Sequence, residues 1–144
     1  MKREKSCGAV IFQPGKQTEY LLLHYPSGHW DFVKGNVEKD ETEKETAVRE
    51  AKEETGLNVK IISGFKEKIS YFYRAGELIN KEVIFFLAEA DSKSVKLSFE
   101  HKGFKWLPFE GACGQITYEN SKQVLKKADT FLKSVKKKNL KEFV

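Results

Sequence analysis

The stretch that leaves this chain the least freedom is Thr42–Leu57, TEKETAVREAKEETGL. Thr42 and Glu45 have the spacing of a capping box, in which a threonine hydroxyl and a glutamate carboxylate satisfy each other's orphaned backbone N–H. Glu43 falls in the first turn, where the helix dipole favours an acid. Gly56 supplies the residue that reverses the backbone at a helix C-terminus, and Leu57 follows in position to pack back on the last turn. A helix is therefore expected from about Thr42 to Gly56, with Ala47, Val48 and Ala51 as a narrow stripe of small residues that can lie close to a sheet. Glu50, Glu53 and Glu54 stand at i, i+3 and i+4 and share a neighbouring strip. Like charges at i, i+4 cost about 0.2–0.5 kcal/mol per pair on an exposed helix. They also crowd the last two turns, the negative end of the dipole. Arg49 can neutralise one of them, with Glu45 competing for its charge. The arrangement calls for a further positive charge, and a hard divalent cation with oxygen ligands supplies one. The alternative reading is an acidic face that is simply solvated.

Short apolar runs surround this helix. CGAVIF (Cys7–Phe12) ends at the turn signal QPGK, and EYLLLH (Glu19–His24) has the continuous apolar character of a buried strand. The glycines of PSGHWDFVKGNV suggest loops. NVKIISGF and KISYFY read as strands, as does KEVIFFLAEA (Lys81–Ala90), which is rich in β-branched and aromatic residues, and FKWL (Phe104–Leu107) is a short one. A last helix is expected from about Asn120 to Lys136, with Val124, Ala128, Phe131 and Val135 on one stripe. Together these give an α/β fold, a mixed sheet with helices packed against it, in one domain over residues 1–144.

Several function classes fall away. No apolar run approaches the roughly 18 residues of a membrane span, and the basic N-terminus lacks the apolar region of a signal peptide. Cys7 and Cys113 form neither a metal spacing nor a disulfide framework, so a reducing, cytoplasmic setting without membrane contact is expected. The net charge of +5 is uneven: residues 38–54 are acidic, while SKQVLKKADTFLKSVKKKNLK near the C-terminus is rich in lysine. A basic tail suits either RNA or a solvated helix face.

From Gly35 the sequence GNVEKDETEKETAVREAKEETGL resembles the Nudix box position for position: Gly35, Glu41, Arg49, Glu50, Glu53, Glu54, Gly56 and Leu57 fall on its fixed places, and Ala51 fills the aliphatic one. The resemblance implies the fold, an α/β/α sandwich around a mixed β-sheet, and an activity, hydrolysis of a nucleoside diphosphate linked to another group with Mg²⁺ or Mn²⁺. It makes Glu50, Glu53 and Glu54 metal carboxylates, adds the Gly35 carbonyl, and gives Glu41 and Arg49 a bracing role. Outside the box, CGAVIF, EYLLLH, HWDFVKGNVE, GFKEKISYFYR, VIFFLAEA and LSFEHKGFKWLPFEGA resemble the diadenosine tetraphosphate hydrolases in order along the chain. That resemblance implies a dinucleoside polyphosphate substrate, cleaved to ATP and AMP. It implies phosphate contacts from His29, Lys34 and Lys81, a further metal-ligating or water-orienting Glu100, and an adenine held by Tyr71 and Phe131, with Tyr118 a third candidate. HWDFVKG departs from the usual W-x-x-P-K-G, with Val33 in place of a proline. Two rival readings remain beside it: a Nudix enzyme acting on another nucleoside diphosphate derivative or on 5′-end RNA, and a non-catalytic nucleotide sensor.

Overall fold

The structure is a computed structural model that describes residues 1–142, with side chains described through Lys137. In chain order the elements are β1 (Lys2–Gln13), β2 (Glu19–His24), β3 (Trp30–Asp31), β4 (Val33–Asn36), α1 (Glu43–Thr55), β5 (Val59–Ala75), β6 (Glu77–Ala90), β7 (Gly103–Pro108), α2 (Phe109–Gln115) and α3 (Glu119–Glu142). The strands form one seven-stranded mixed sheet. β1 and β6 run parallel from Lys2 opposite Ile79 to Phe12 opposite Glu89, and β5 lies antiparallel on the far side of β6. The other edge of β1 is shared: β4 pairs with its first half, Ser6 opposite Asn36 through Ala9 opposite Val33, and β2 pairs with its end. β2 also pairs with β7 and with the two residues of β3.

The sheet is covered on both faces, which is why its central strands run continuously apolar and buried over Cys7–Phe12, Tyr20–Leu23 and Val83–Ala88. Alternate residues sort by face. Ala9, Ile11, Leu21, Leu23 and Ala88 pack with Ala51 of α1, while Val10, Phe12, Leu22, Phe85 and Leu87 pack with Val124, Leu125 and Ala128 of α3. Between layers, the Tyr20 hydroxyl donates to the buried Asp129 carboxylate at 2.7 Å, and Lys133 meets the other oxygen at 3.0 Å. A polar group inside the core is thereby satisfied and α3 is fixed along its axis.

The first helix takes the ends expected of it. Thr42 and Glu45 form both bonds of the capping box, and Gly56 closes the helix in the left-handed conformation (φ 74°) with Leu57 buried behind it. Its buried face includes Thr46, Ala47, Ala51, Glu54 and Thr55; Val48 is exposed, one step off the apolar stripe assigned to it. Other expectations shift more. β1 starts at Lys2, so the basic N-terminus is a strand. The glycine-bearing segment after His24 holds β3 and β4. The runs from Val59 to Ala75 are one strand, irregular between Ile61 and Lys66. α2 contains Gly111 and Gly114, lacks a side-chain cap at Pro108 and sends Ala112 into the core, so packing rather than propensity makes it a helix. Among the described side chains of α3 the buried apolar ones are Val124, Leu125, Ala128 and Leu132, with Phe131 and Val135 at the margin of the buried face.

Leu125→Ala removes a side chain that is fully buried between α3 and the sheet and is expected to lower the stability by about 2–5 kcal/mol. Val48→Ala should change it by less than about 0.5 kcal/mol. Urea unfolding of the two variants beside the parent checks the pair.

Candidate active site

Small residues bring α1 down onto the sheet, and that approach builds the site. Glu50 lies directly on β4: a Cβ at Gly35 would stand 2.0 Å from the Glu50 carboxyl carbon. Only glycine leaves room for that carboxylate. One turn further, Glu54 is buried, at 5% exposure, while the Glu53 side chain stays more than half exposed. The strip of acids is thus graded from core to solvent.

Arg49 ties these acids together. Its Nε and Nη2 donate to the two oxygens of Glu41 at 2.7 and 3.0 Å, Nη1 donates to Glu50 at 2.9 Å and to Glu53 at 3.1 Å, and Nη2 also reaches the Asn36 carbonyl at 3.0 Å. Glu41 in turn accepts from the Thr46 hydroxyl at 2.6 Å and from the Glu38 N–H at 3.1 Å. Hydrogen bonds from Arg49, then from Thr46, hold its carboxyl down to about 2. The guanidinium therefore fastens the loop after β4 to α1 and offsets part of the helix's negative charge.

The loop between β6 and β7 caps the other end. Lys96 and Ser98 donate their backbone N–H groups to the carbonyls of Thr55 and Glu54, at 2.8 and 3.0 Å. These bonds satisfy the last carbonyls of α1 and deliver His101 and Glu100. His101 Nε2 sits 2.6 Å from Glu54 Oε1, both side chains almost fully buried. Burial first, then the charge of Glu50, pushes the Glu54 carboxyl up to about 9. Glu54 Oε2 and His101 Nδ1 are buried without a hydrogen-bond partner. A cavity of about 630 Å³ is lined here by Glu50, Glu53, Glu54, Glu100, Gly35 and Lys34. Three helix carboxylates, one of them with an orphaned buried oxygen, and a fourth from the loop are a donor set that suits a hard divalent cation. Among the described residues no three such side chains already converge on one point, since Arg49 holds Glu50 and Glu53, and His101 holds Glu54.

A second cavity, of about 510 Å³, adjoins the first and shares Lys34 with it. Its walls include His29, Ile69, Tyr71, Tyr118 and Ser121. Lys34 Nζ stands 5.7 Å from the centre of the Tyr71 ring and 3.9 Å from Asp31. His29 stacks on Tyr25 at 4.6 Å, approaches the Tyr118 ring at 5.3 Å and places Nδ1 2.7 Å from the Ser27 hydroxyl. Burial lowers its pKa. Lys81 lies behind this wall, opposite Tyr71 in the β5–β6 ladder, donating to Asn36 Oδ1 at 2.9 Å, and burial lowers its pKa.

His29, Lys34, Tyr71 and Tyr118 thus surround one cavity, and Gly35, Glu50, Glu53, Glu54 and Glu100 the other. Phe131 joins neither: its ring packs on Phe65 at 5.8 Å and against Gly64. Val33, at the position where a proline was expected, and Phe32 before it fill the cores on opposite faces of the sheet, and Val33 pairs with Ala9 as a strand residue. Tyr25 and Asn36 were not among the expected site residues, and His101 stood only as the neighbour of Glu100. None of them holds a fixed place in a spaced motif; adjacency to the expected ligands Gly35 and Glu100 is the one signal for Asn36 and His101, and Tyr25 has none.

A model of the NUDIX domain matches residues 2–128. The chain is 35% identical over 142 residues to the asymmetrical bis(5′-nucleosyl)-tetraphosphatase of Mus musculus, covering 89% of this chain and 95% of that protein. It is 31% identical over 132 residues to the enzyme of the same name from Caenorhabditis elegans, covering 89% and 96%. In three dimensions it superposes on a crystal structure of a C. elegans Ap4A hydrolase binary complex with a TM-score of 0.81 and 33% identity, over 91% of this chain and 98% of that one.

The Glu41 contacts carry a pH signature. Its carboxyl is depressed from 4.5 to about 2, so its contribution to stability is complete above pH 4.5 and is lost as the pH falls toward 2. Glu41→Gln has no such group to titrate. Between pH 4.5 and 2 the variant should lose less stability than the parent in chemical denaturation at each pH.

Proposed function

Because the chain belongs to the Nudix family of hydrolases, we propose that it cleaves dinucleoside polyphosphates, with diadenosine tetraphosphate as substrate and ATP and AMP as products. Members of this family generally require divalent metal ions. The observation that carries the reading is the pair of adjoining cavities, one acidic and one aromatic, with Lys34 in the wall of both. A polyphosphate with a base at its end has the shape to occupy the two at once. The names of the relatives agree with this choice of substrate.

Each group then has a task. Tyr71 and Tyr118 offer ring faces to one adenine; such stacking contributes about 1–3 kcal/mol per base. Lys34 and His29 stand between base and acids, where the phosphate chain passes, and donate to its oxygens. Lys81 adds positive charge from behind through Asn36. Glu50, Glu53 and Glu54, with Glu100 and the Gly35 carbonyl, would hold Mg²⁺, for which Mn²⁺ can substitute. A bound divalent ion neutralises phosphate oxygens and lowers the pKa of water. Arg49 and Glu41 keep the carboxylates and the β4 loop in register for that binding.

Hydrolysis of diadenosine tetraphosphate in ¹⁸O-labelled water tests the reaction. ATP and AMP should appear, with the label in one of them, and a chelator should abolish turnover. Faster cleavage of 5′-triphosphorylated RNA, or tight nucleotide binding without products in Mg²⁺ or Mn²⁺, would replace this reading with one of the rivals.

The base pocket is tested separately. Tyr71→Ala should raise KM for the dinucleotide by about 5- to 150-fold, the equivalent of the stacking energy. Phe131→Ala should lower stability and leave KM near the parent's, because its ring lies against Phe65 and Gly64. Steady-state kinetics with denaturation curves on both variants decides between the two aromatics.

A further inference from the structure

His101 is a buried group at the site that the reaction above does not employ. Its side chain is 2% exposed. The ring is fixed from several sides. Its backbone N–H donates to the Ser98 carbonyl at 3.2 Å, and Ser98 is itself bonded to the Glu54 carbonyl. The edge of the ring meets Tyr25 at 4.7 Å in a near-perpendicular contact. Tyr25 is pinned in turn by its hydroxyl, which donates to the Phe32 carbonyl at 2.6 Å, and by its stack on His29. All this places Nε2 2.6 Å from Glu54 Oε1. The other carboxylate oxygen, Oε2, is left buried and without a partner. A carboxylate with one oxygen held and the other free has lost the rotation that would otherwise oppose binding a cation.

We propose that His101 is a positioning residue for the metal site: by donating from Nε2 to Glu54 Oε1 it holds that carboxylate with Oε2 free to ligate a divalent cation. The proposal rests on the reading of Glu54 as a metal ligand. Hydrogen-bond partners of metal ligands orient the donor atom, and losing one typically costs about 10- to 100-fold in metal affinity. The neutral Nε2–H tautomer is the one required, and Nδ1, which has no partner among the described residues, is then its unprotonated nitrogen.

The competing role is that of a filler beneath Tyr25, and two substitutions separate them. His101→Phe fills the space and keeps an aromatic contact with Tyr25 but cannot donate. His101→Gln carries an amide N–H that reaches close to the position of Nε2. Mn²⁺ binding to the purified, nucleotide-free protein is read by electron paramagnetic resonance, with melting temperatures in chelator as the check on folding. The parent should bind Mn²⁺, His101→Phe should bind it about 10- to 100-fold more weakly while folded, and His101→Gln should recover most of the loss. At saturating Mn²⁺, KM for the dinucleotide should stay near the parent's in both. If the phenylalanine overfills the site, His101→Leu replaces it. A folded Phe or Leu variant with the parent's Mn²⁺ affinity overturns the proposal and leaves the proposed reaction standing, as does a folded Gln variant as weak as they are. A parent that binds no Mn²⁺ overturns the metal reading of Glu54 and this proposal with it.

Discussion

Everything at the site depends on how one guanidinium is placed among carboxylates. Arg49 contacts Glu41, Glu50, Glu53 and the Asn36 carbonyl with donors spread around its plane. A lysine, with one small ammonium, could not span partners on the loop and on the helix together. The bonds draw the loop after β4 against α1, and so set Glu50 on the backbone of Gly35. Yet one positive charge stands against a larger number of negative ones. Glu54 is the most deeply buried of the three helix acids, and its carboxyl is pushed up first by that burial and then by the charge of Glu50. Arg49 thus makes the acidic strip foldable without neutralising it, and the residual charge is what a divalent ion is suited to take.

The short strand β4 divides the work. Successive side chains of a strand point to opposite faces. Val33 packs in the α1-side core, and Gly35, two residues on, meets Glu50 on that side; Lys34 turns the other way, toward Tyr71. Four residues therefore meet Glu50 on one side of a backbone and Tyr71 on the other, with Lys34 in the wall of both adjoining cavities. The pairing of β4 with β1 fixes that division, since a slip of one residue would exchange Lys34 and Gly35.

Legibility from the sequence followed the range of the forces involved. α1 could be read at both ends because capping, dipole and left-handed glycine act within a few residues. The buried strands were legible as apolar runs. β4 was not, because VKGN holds one apolar residue and a glycine, and its strand conformation comes from pairing with β1. α2 was hidden by its glycines for the same reason. Val48 looked like part of a helix stripe, and only the angle at which α1 meets the sheet turned it to solvent.

The sequence by itself determined the acidic helix, its limits and its charge, because each rests on neighbours within a turn or two. Tertiary structure decided which aromatics line the cavity beside Lys34 and which serves the core, separating Tyr71 and Tyr118 from Phe131. It also decided that His101 reaches Glu54 across 47 positions of chain. Contacts at that separation leave no periodic trace, since they exist only once the β6–β7 loop has bonded to the last carbonyls of α1.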